Sequence, residues 1–162
     1  MRLLWVGMSV VVLLHGLPTE ANACTNDYSG ASYERPLYNN ELTVALPQDW
    51  RLVKSDPQGI LKYDNVIYYV QRGSHRVFMI DLTNDGNFPF PDNTTSANVM
   101  NNGIWATEYR LNNILTSVVV KPPCGGFRYV WMRPITKNPG ERRQVEASMK
   151  SIKCVGSPRP GP

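Results

Sequence analysis

Histidine is almost absent from this sequence, and the motifs of several enzyme classes are absent as well. Only His15 and His75 carry an imidazole, so zinc sites built from several histidines are excluded. The chain also lacks the G-x-S-x-G nucleophile motif, the phosphate-binding loop and the C-x-x-C pair. Its acidic residues stand in no context that is typical of paired catalytic carboxylates. The sequence therefore predicts a protein that is not an enzyme and needs no cofactor.

Long apolar runs are also missing, except at the start of the chain. Leu3 to Leu14 is almost entirely apolar, follows the basic Arg2, and is shorter than the ~20 residues that a membrane-spanning helix needs. A polar segment and the small-residue triplet Ala-Asn-Ala come next, which is the order found in secretory signal peptides. We therefore expect residues 1–23 to be a signal peptide that is cleaved after Ala23. The protein is then exported, and is either periplasmic or secreted.

The remaining residues fit one domain with a small positive charge. Residues 24–155 are long enough for a single core, with a polar, extended leader expected at 24–40 and a disordered tail at 156–162. The formal net charge of the chain is +4, but no tract of Lys and Arg and no nucleic-acid-binding motif accompanies it. We expect no nucleic-acid partner and no transmembrane segment.

Three cysteines follow the expected cleavage site, which is an odd number. Cys124 follows a strand-like run and Cys154 follows the last helix-like segment, so a bridge between them would close a loop of about 30 residues and contribute roughly 3 kcal/mol. Disulfides persist in the oxidising compartments that exported proteins reach. We predict a Cys124–Cys154 disulfide. Cys24 is then free, bridged to another molecule or lipidated, although Glu20 and Asn22 depart from the residues typical of a lipoprotein signal.

Alternating apolar residues and turn signals predict that strands form most of the domain. Residues 42–46 are typical of a half-buried strand, residues 60–82 of a three-stranded meander with a turn at 64–65, and residues 104–134 of three further strands. The polar segment at 94–102 is predicted to form one or two helical turns.

The last element is predicted to be a helix. Asn138 is a favourable N-cap, Pro139 suits the first helical position, and Glu141 is placed to complete a capping box. Apolar side chains follow at helical spacing at Val145, Met149 and Ile152. The whole pattern predicts an α+β fold, in which a mainly antiparallel sheet of six to eight strands has the C-terminal helix packed on one face.

Two segments resemble the PsbP-like, or Mog-like, fold. Residues 41–52 (ELTVALPQDWRL) resemble the strand with Leu-Pro-x-x-Trp that begins this fold, and residues 141–153 (ERRQVEASMKSIK) resemble its final helix. The fold is shared by many small exported bacterial proteins. The resemblance implies an α+β architecture and a scaffold, binding or toxin-neutralising role. It implies no particular site residue.

One segment carries residues at the spacing of a calcium loop. Asp81, Thr83, Asp85 and Asp92 fall at positions 1, 3, 5 and 12 of an EF-hand-type loop. A strand precedes the segment where a helix should stand, and prolines occupy positions 9 and 11. An ordinary Asn-Asp-Gly turn is therefore the favoured interpretation.

His75 is expected at the tip of a hairpin, where a catalytic base would be poorly held.

The same segment contains a candidate interface loop. Phe88 and Phe90 are each followed by a proline, which enforces an extended backbone. Such a loop either displays its two rings as a contact site, together with Asp92, or packs the rings onto the core. Tyr and Trp are also frequent in this chain, and both are enriched at protein interfaces.

Export, a single domain and the lack of a catalytic constellation favour a non-enzymatic protein that binds another protein. The most specific hypothesis is an immunity protein that neutralises a secreted antibacterial toxin. One alternative is a secreted hydrolase or small-ligand carrier, which needs a deep pocket with converging acids or His75. The other is an envelope lipoprotein with a structural role, anchored through Cys24.

Overall fold

The computed structural model of the chain describes residues 32–55, 65–124 and 126–155. The expected signal peptide at 1–23, Cys24 and the tail at 156–162 lie outside these residues. The first part of the expected leader and the first strand of the meander, at 60–63, lie outside them too. These expectations stay predictions.

Antiparallel strands account for most of the described residues, as expected, and they are arranged in two sheets. The elements are β1 (Ser32–Pro36), β2 (Leu42–Pro47), β3 (Trp50–Lys54), β4 (Val66–Arg72), β5 (His75–Thr83), β6 (Thr95–Asn101), β7 (Ile104–Leu111), β8 (Ile114–Val120), β9 (Tyr129–Pro134), α1 (Pro139–Lys150) and β10 (Lys153–Cys154). The small sheet has the order β1-β2-β10, and the large sheet has the order β3-β4-β5-β9-β8-β7-β6. The predicted α+β class is therefore confirmed, and the seven strands of the large sheet fall within the predicted six to eight.

The main core lies between the large sheet and a layer formed by α1 and β2. Alternate side chains of the large sheet, such as Ile80 and Met132, meet Val145 and Met149 of α1 in one buried cluster. Val44 of β2 belongs to the same cluster. We call this side of the large sheet the inner face. The apolar side chains that alternate with polar ones along the strands are buried on this face. Their burial is the main driving force for the packing.

Asn residues close two of the hairpins because their side chains tolerate a left-handed backbone. Asn112 and Asn113 have φ angles of 51° and 63° between β7 and β8, and Asn102 and Gly103 have φ angles of 49° and 77° between β6 and β7. Two central residues with positive φ give the turn type that matches the twist of paired strands. The turn predicted at Asn112 is thus present.

The prediction of helical turns at 94–102 is wrong. Residues Thr95–Asn101 form β6, which pairs with β7 along its whole length. β6 is an edge strand with mostly exposed side chains, so it shows no alternation of apolar and polar residues. Strand pairing overrides the weak local preference of such a segment.

The described part of the expected leader is also structured. Residues 32–36 form β1, paired with β2, and a single 3-10 turn follows at Tyr38–Asn40. Leu37, which lies between them, is buried in the main core. This apolar residue explains why the end of the leader is held against the domain.

Helix α1 begins as predicted, except at Glu141. The Asn138 side chain accepts a hydrogen bond from the Gly140 backbone N–H at 2.9 Å, and Pro139 occupies the first helical position. The Glu141 carboxylate does not complete a capping box. It accepts a hydrogen bond from the Thr136 hydroxyl at 2.6 Å, and this hydroxyl in turn accepts from the Asn138 backbone N–H at 3.2 Å.

The predicted disulfide is confirmed. Cys124 and Cys154 are bonded, with their Cα atoms 6.0 Å apart. Cys154 lies in β10, which pairs with β2, and Cys124 follows β8 of the large sheet. The bridge therefore links the small sheet to the large one.

Candidate functional site

The second side of the large sheet, which we call the outer face, carries neither the helix nor the small sheet in the described part of the chain. Its buried centre is a small cluster of Met79, Val119 and Trp131. Half-buried aromatic side chains surround this centre, namely Tyr69, Phe88, Phe90, Tyr109 and Tyr129. An antiparallel sheet with one packed face and one open face normally presents polar residues on the open one. The aromatic composition of this face is therefore a feature that needs an explanation.

The loop at 84–94 lies on the outer face because of the strand order. It connects β5 to β6, and these strands are separated by β9, β8 and β7 in the sheet. Phe88 lies against Tyr129 and Trp131 of β9, with ring centroids 5.5 and 5.4 Å apart. Phe90 stacks on Tyr109 of β7 at 3.8 Å. The two rings thus hold the crossing loop on the sheet.

The start of this loop approaches the sheet closely enough that a side chain there would require the Tyr129 ring to shift slightly. A Cβ atom added at Gly86 would lie 3.1 Å from the ring of Tyr129. Phe88 and Phe90 are half-buried on the sheet, and Asp92 is exposed at the far end of the loop. The structure therefore places the candidate interface loop on the same surface as the other aromatic residues. A contact role for Phe88, Phe90 and Asp92 stays a prediction.

Basic side chains lie over several of these aromatic rings. The Arg76 guanidinium is 3.8 Å from the centroid of Tyr69, and the Arg133 guanidinium is 5.3 Å from that of Trp131. The Lys121 ammonium is 5.7 Å from the ring of Tyr129. Cations at these distances are attracted by the negative face of an aromatic ring, at roughly 0.5–1 kcal/mol for exposed pairs. Gln71 of β4 pairs with Arg51 of β3 on one side and with Arg76 of β5 on the other. Directly paired residues lie on the same face of a sheet, so Arg51 shares the outer face with Arg76.

These bases have no acidic partner among the described residues. The ion pairs in the described part of the chain join the helix, the small sheet and the neighbouring strand ends. They are Arg72 with Asp49 and Glu141, His75 with Glu141, Arg110 and Lys150 with Glu108 and Glu146, and Lys153 with Glu34. None of them involves the four outer-face bases, Arg51, Arg76, Lys121 and Arg133. Among the described residues, the four outer-face bases therefore form no ion pair, whereas Arg72, Arg110, Lys150 and Lys153 do.

Trp105 extends the outer face towards the edge of the sheet. It lies on β7, and 61% of its surface is exposed. Because exposed tryptophan is rare away from contact sites and is enriched among residues that dominate binding energies, it is the strongest single contact candidate. Thr107, two residues further along β7, pairs with Val119 of the outer-face cluster. Because residues two apart in a strand lie on the same face, Trp105 also lies on the outer face.

An acidic residue is buried beneath this surface. Asp81 lies opposite Trp131 in the β5–β9 pairing, and burial raises its pKa to about 6. Asp81 Oδ1 and Trp131 Nε1 are both buried and make no hydrogen bond to any described residue. Most buried polar atoms in proteins are hydrogen-bonded, so two neighbouring exceptions mark a strained position.

Two of the four calcium-loop candidates, Thr83 and Asp85, are held by local hydrogen bonds. The Thr83 hydroxyl donates to Asn65 Oδ1 at 2.7 Å and accepts from the Asp85 backbone N–H at 3.0 Å. Asp85 Oδ1 accepts from the Asn87 backbone N–H at 3.0 Å. No three His, Cys, Asp or Glu side chains are grouped around a common point within the described ranges. The hydrogen bonds at Thr83 and Asp85 are those of a local turn, and the calcium alternative is not tested by them.

His75 belongs to a cluster that the sequence did not reveal. Its Nε2 atom lies 3.0 Å from Glu141 Oε1, and Arg72 donates to the same oxygen at 3.3 Å. The hydrogen bond from Thr136 is the main cause that holds the pKa of Glu141 below its usual value, against the opposing effect of burial. Within the described residues, His75 hydrogen-bonds to no Ser, Thr or Cys. The cluster therefore joins α1 to the β4–β5 hairpin without presenting a nucleophile.

A cleft of about 200 Å³ lies between α1 and the β7–β8 hairpin. Its charged lining consists of Arg110, Arg142, Arg143 and Glu146. Arg142 donates to the Leu115 carbonyl at 2.7 Å, and Glu146 accepts from Arg110 at 2.8 Å. The only acid of this cleft is thus engaged in an ion pair, and the cleft does not contain the converging acids that a hydrolase would need.

In the part of the chain that the structure describes, no helix has both the length and the apolar character needed to cross a membrane. Comparison with known proteins adds no identification, because no protein-family model, no curated protein and no solved structure matches this chain.

Proposed function

We propose that this chain is an exported, non-enzymatic protein that binds another protein through its outer face. The observation that carries the proposal is the set of exposed bases stacked on aromatic rings without acidic partners. Arg76 over Tyr69 and Arg133 over Trp131 are the clearest examples. Tyr, Trp and Arg are the residues most enriched among those that dominate protein-binding energies.

The partner is expected to present an acidic surface. Four bases face outward on this surface, whereas its acids are the buried Asp81, whose pKa is raised, and the exposed Asp85 and Asp92 of the 84–94 loop. An acidic partner would be attracted before contact, and its carboxylates would find unpaired guanidinium groups at the interface. The rings beneath those groups supply apolar area that binding removes from water.

A secreted antibacterial toxin is the partner class that we propose within this function. The predicted signal peptide would bring the protein to the compartment where such toxins act. The PsbP-like resemblance supports the same role, since that fold includes toxin-neutralising proteins. The signal peptide and the resemblance are both arguments from the sequence, and they support the partner class. The arrangement of bases and rings on the outer face supports protein binding.

The test is capture of a stoichiometric partner from envelope extracts of the source organism, using the exported protein on a solid support. Arg76→Glu reverses a charge on the outer face, and Arg143→Glu makes the same change on α1, at an exposed side chain. Trp105→Ala is matched by Tyr33→Ala on β1, since Tyr33 is 44% exposed. We expect Arg76→Glu and Trp105→Ala to weaken capture about tenfold or more, and the two control variants to retain it.

A captured partner should also bind less tightly as salt is added, because an attraction between exposed charges is screened. If the partner is a toxin, the wild-type protein should block its activity and Arg76→Glu should block it poorly. Capture of no stoichiometric partner, or equal capture by the outer-face and control variants, would contradict the proposal.

A further inference from the structure

Strand β6 forms an edge of the large sheet that lacks the usual protection against further strand pairing. It pairs with β7 on one side, and no strand of the described residues pairs with its other side. Its seven residues, TSANVMN, include no charged residue and no proline, and most of them are exposed. Natural edge strands commonly carry lysine, proline or a bulge, because a bare edge is a template for another strand.

The other edges of the two sheets do carry such protection. β3, at the opposite edge of the large sheet, contains Arg51 and Lys54. β1, at the edge of the small sheet, contains Glu34, Arg35 and Pro36. β10, the second edge of the small sheet, is only two residues long and contains Lys153. Among the described strands, the bare edge is therefore specific to β6.

We propose that β6 pairs with β6 of a second copy of this chain, so that the two large sheets join into one continuous sheet. The two strands run antiparallel about a two-fold axis, and the unpaired backbone N–H and C=O groups of each edge satisfy those of the other. The contact uses the sheet edge and leaves the outer-face bases exposed. It therefore does not depend on the proposed partner protein.

The charges of the large sheet make β6, and not β3, the edge at which a second copy can pair. Two copies with a net charge of +4 repel each other, and a two-fold axis brings equivalent residues close together. At β3 this symmetry would place Arg51 and Lys54 near their own copies, whereas β6 brings no charges together. Strands that carry no charge can pair with themselves without this repulsion.

An exposed apolar side chain adds to the contact. Met100 is 52% exposed and lies on the outer side of β6, opposite Trp105 of β7. In a symmetric antiparallel pairing centred on Asn98, Met100 of one copy would lie opposite Ser96 of the other. Both methionines then cover the new strand pair and lose part of their contact with water, which favours association by about 25 cal/mol per Å² of apolar area buried.

The test is sedimentation of the exported protein over a range of concentrations, with one variant at each edge. We expect the apparent mass to double by about 100 µM, where a contact of micromolar affinity is largely formed. Asn98→Lys places a charge at the middle of β6, next to the symmetry axis, and should keep the protein monomeric. Val53→Lys adds the same charge on β3, where Val53 is 38% exposed, and should leave the dimer intact. Ser96→Lys repeats the β6 test should Asn98→Lys fail to fold.

Hydrogen exchange locates the contact. Protection of the β6 amides should rise with protein concentration, while that of the β3 amides should not change. A protein that is monomeric at all concentrations would overturn the proposal, including the case in which residues 24–31 of the same chain protect β6. Equal loss of the dimer in Asn98→Lys and Val53→Lys, or equal retention in both, would overturn it as well.

Discussion

Asp81 makes the stability of this protein depend on pH in an unusual direction. Burial raises its pKa from 3.8 to about 6, so the folded state favours the neutral carboxyl. The contribution of this residue to stability is fully present below pH ~4, and it is lost as the pH rises through ~6. Most surface carboxylates act in the opposite direction, because ion pairs lower their pKa values.

The substitution Asp81→Asn tests how much stability the protein loses when the buried Asp81 carboxyl ionises. Asn has nearly the same shape but cannot ionise, so the variant should gain about 2–3 kcal/mol relative to wild type between pH 4 and pH 8. Urea denaturation at several pH values measures the difference. A relative stability of Asp81→Asn that does not change with pH would show that Asp81 ionises freely in the folded protein.

At the level of elements, the disulfide is expected to make a large contribution. Cys124 and Cys154 are 30 residues apart in sequence and join the two sheets. The double variant Cys124→Ser and Cys154→Ser should therefore lose about 3 kcal/mol of unfolding free energy, because the unfolded chain gains the freedom of an open loop. Urea denaturation of the variant and of the oxidised wild type measures this loss. A reduced wild-type protein should match the variant, and equal stability of all three forms would contradict the estimate.

Local signals in the sequence were sufficient for elements whose geometry depends on a few neighbouring residues. Asn138 and Pro139 begin α1 as predicted, and the Asn112 turn is present. β6 was mistaken for helical turns because an exposed edge strand has no apolar periodicity. The sequence predicts a capping box at Glu141, but its carboxylate bonds to Thr136 and to His75 of the β4–β5 hairpin, and the contact with His75 depends on how α1 packs.

At the level of the whole molecule, strand order is the property that the sequence could not reveal. The α+β class and the number of strands were predictable from alternation and from the helix signals. The placement of β9, β8 and β7 between β5 and β6 was not, since pairing between distant strands leaves no local pattern. This order sends the 84–94 loop across the sheet and gathers aromatic residues from separate segments. Phe88 and Phe90 were therefore recognised as notable residues, but the surface that they share with Arg76 and Trp105 was not.

The state of Cys24 is a prediction about the whole exported molecule. The Cys124–Cys154 disulfide uses two of the three cysteines in the sequence, so Cys24 has no other cysteine in this sequence to pair with. Glu20 and Asn22 are unusual for a lipoprotein signal, and we therefore expect an exported chain that begins at Cys24 and carries no lipid. Intact-mass spectrometry of protein purified from the envelope measures this directly, and thiol alkylation without reductant shows whether Cys24 is free or bridged to another molecule. A diacylglycerol adduct would contradict the expectation and would support the envelope lipoprotein alternative, in which Cys24 anchors the domain to a membrane.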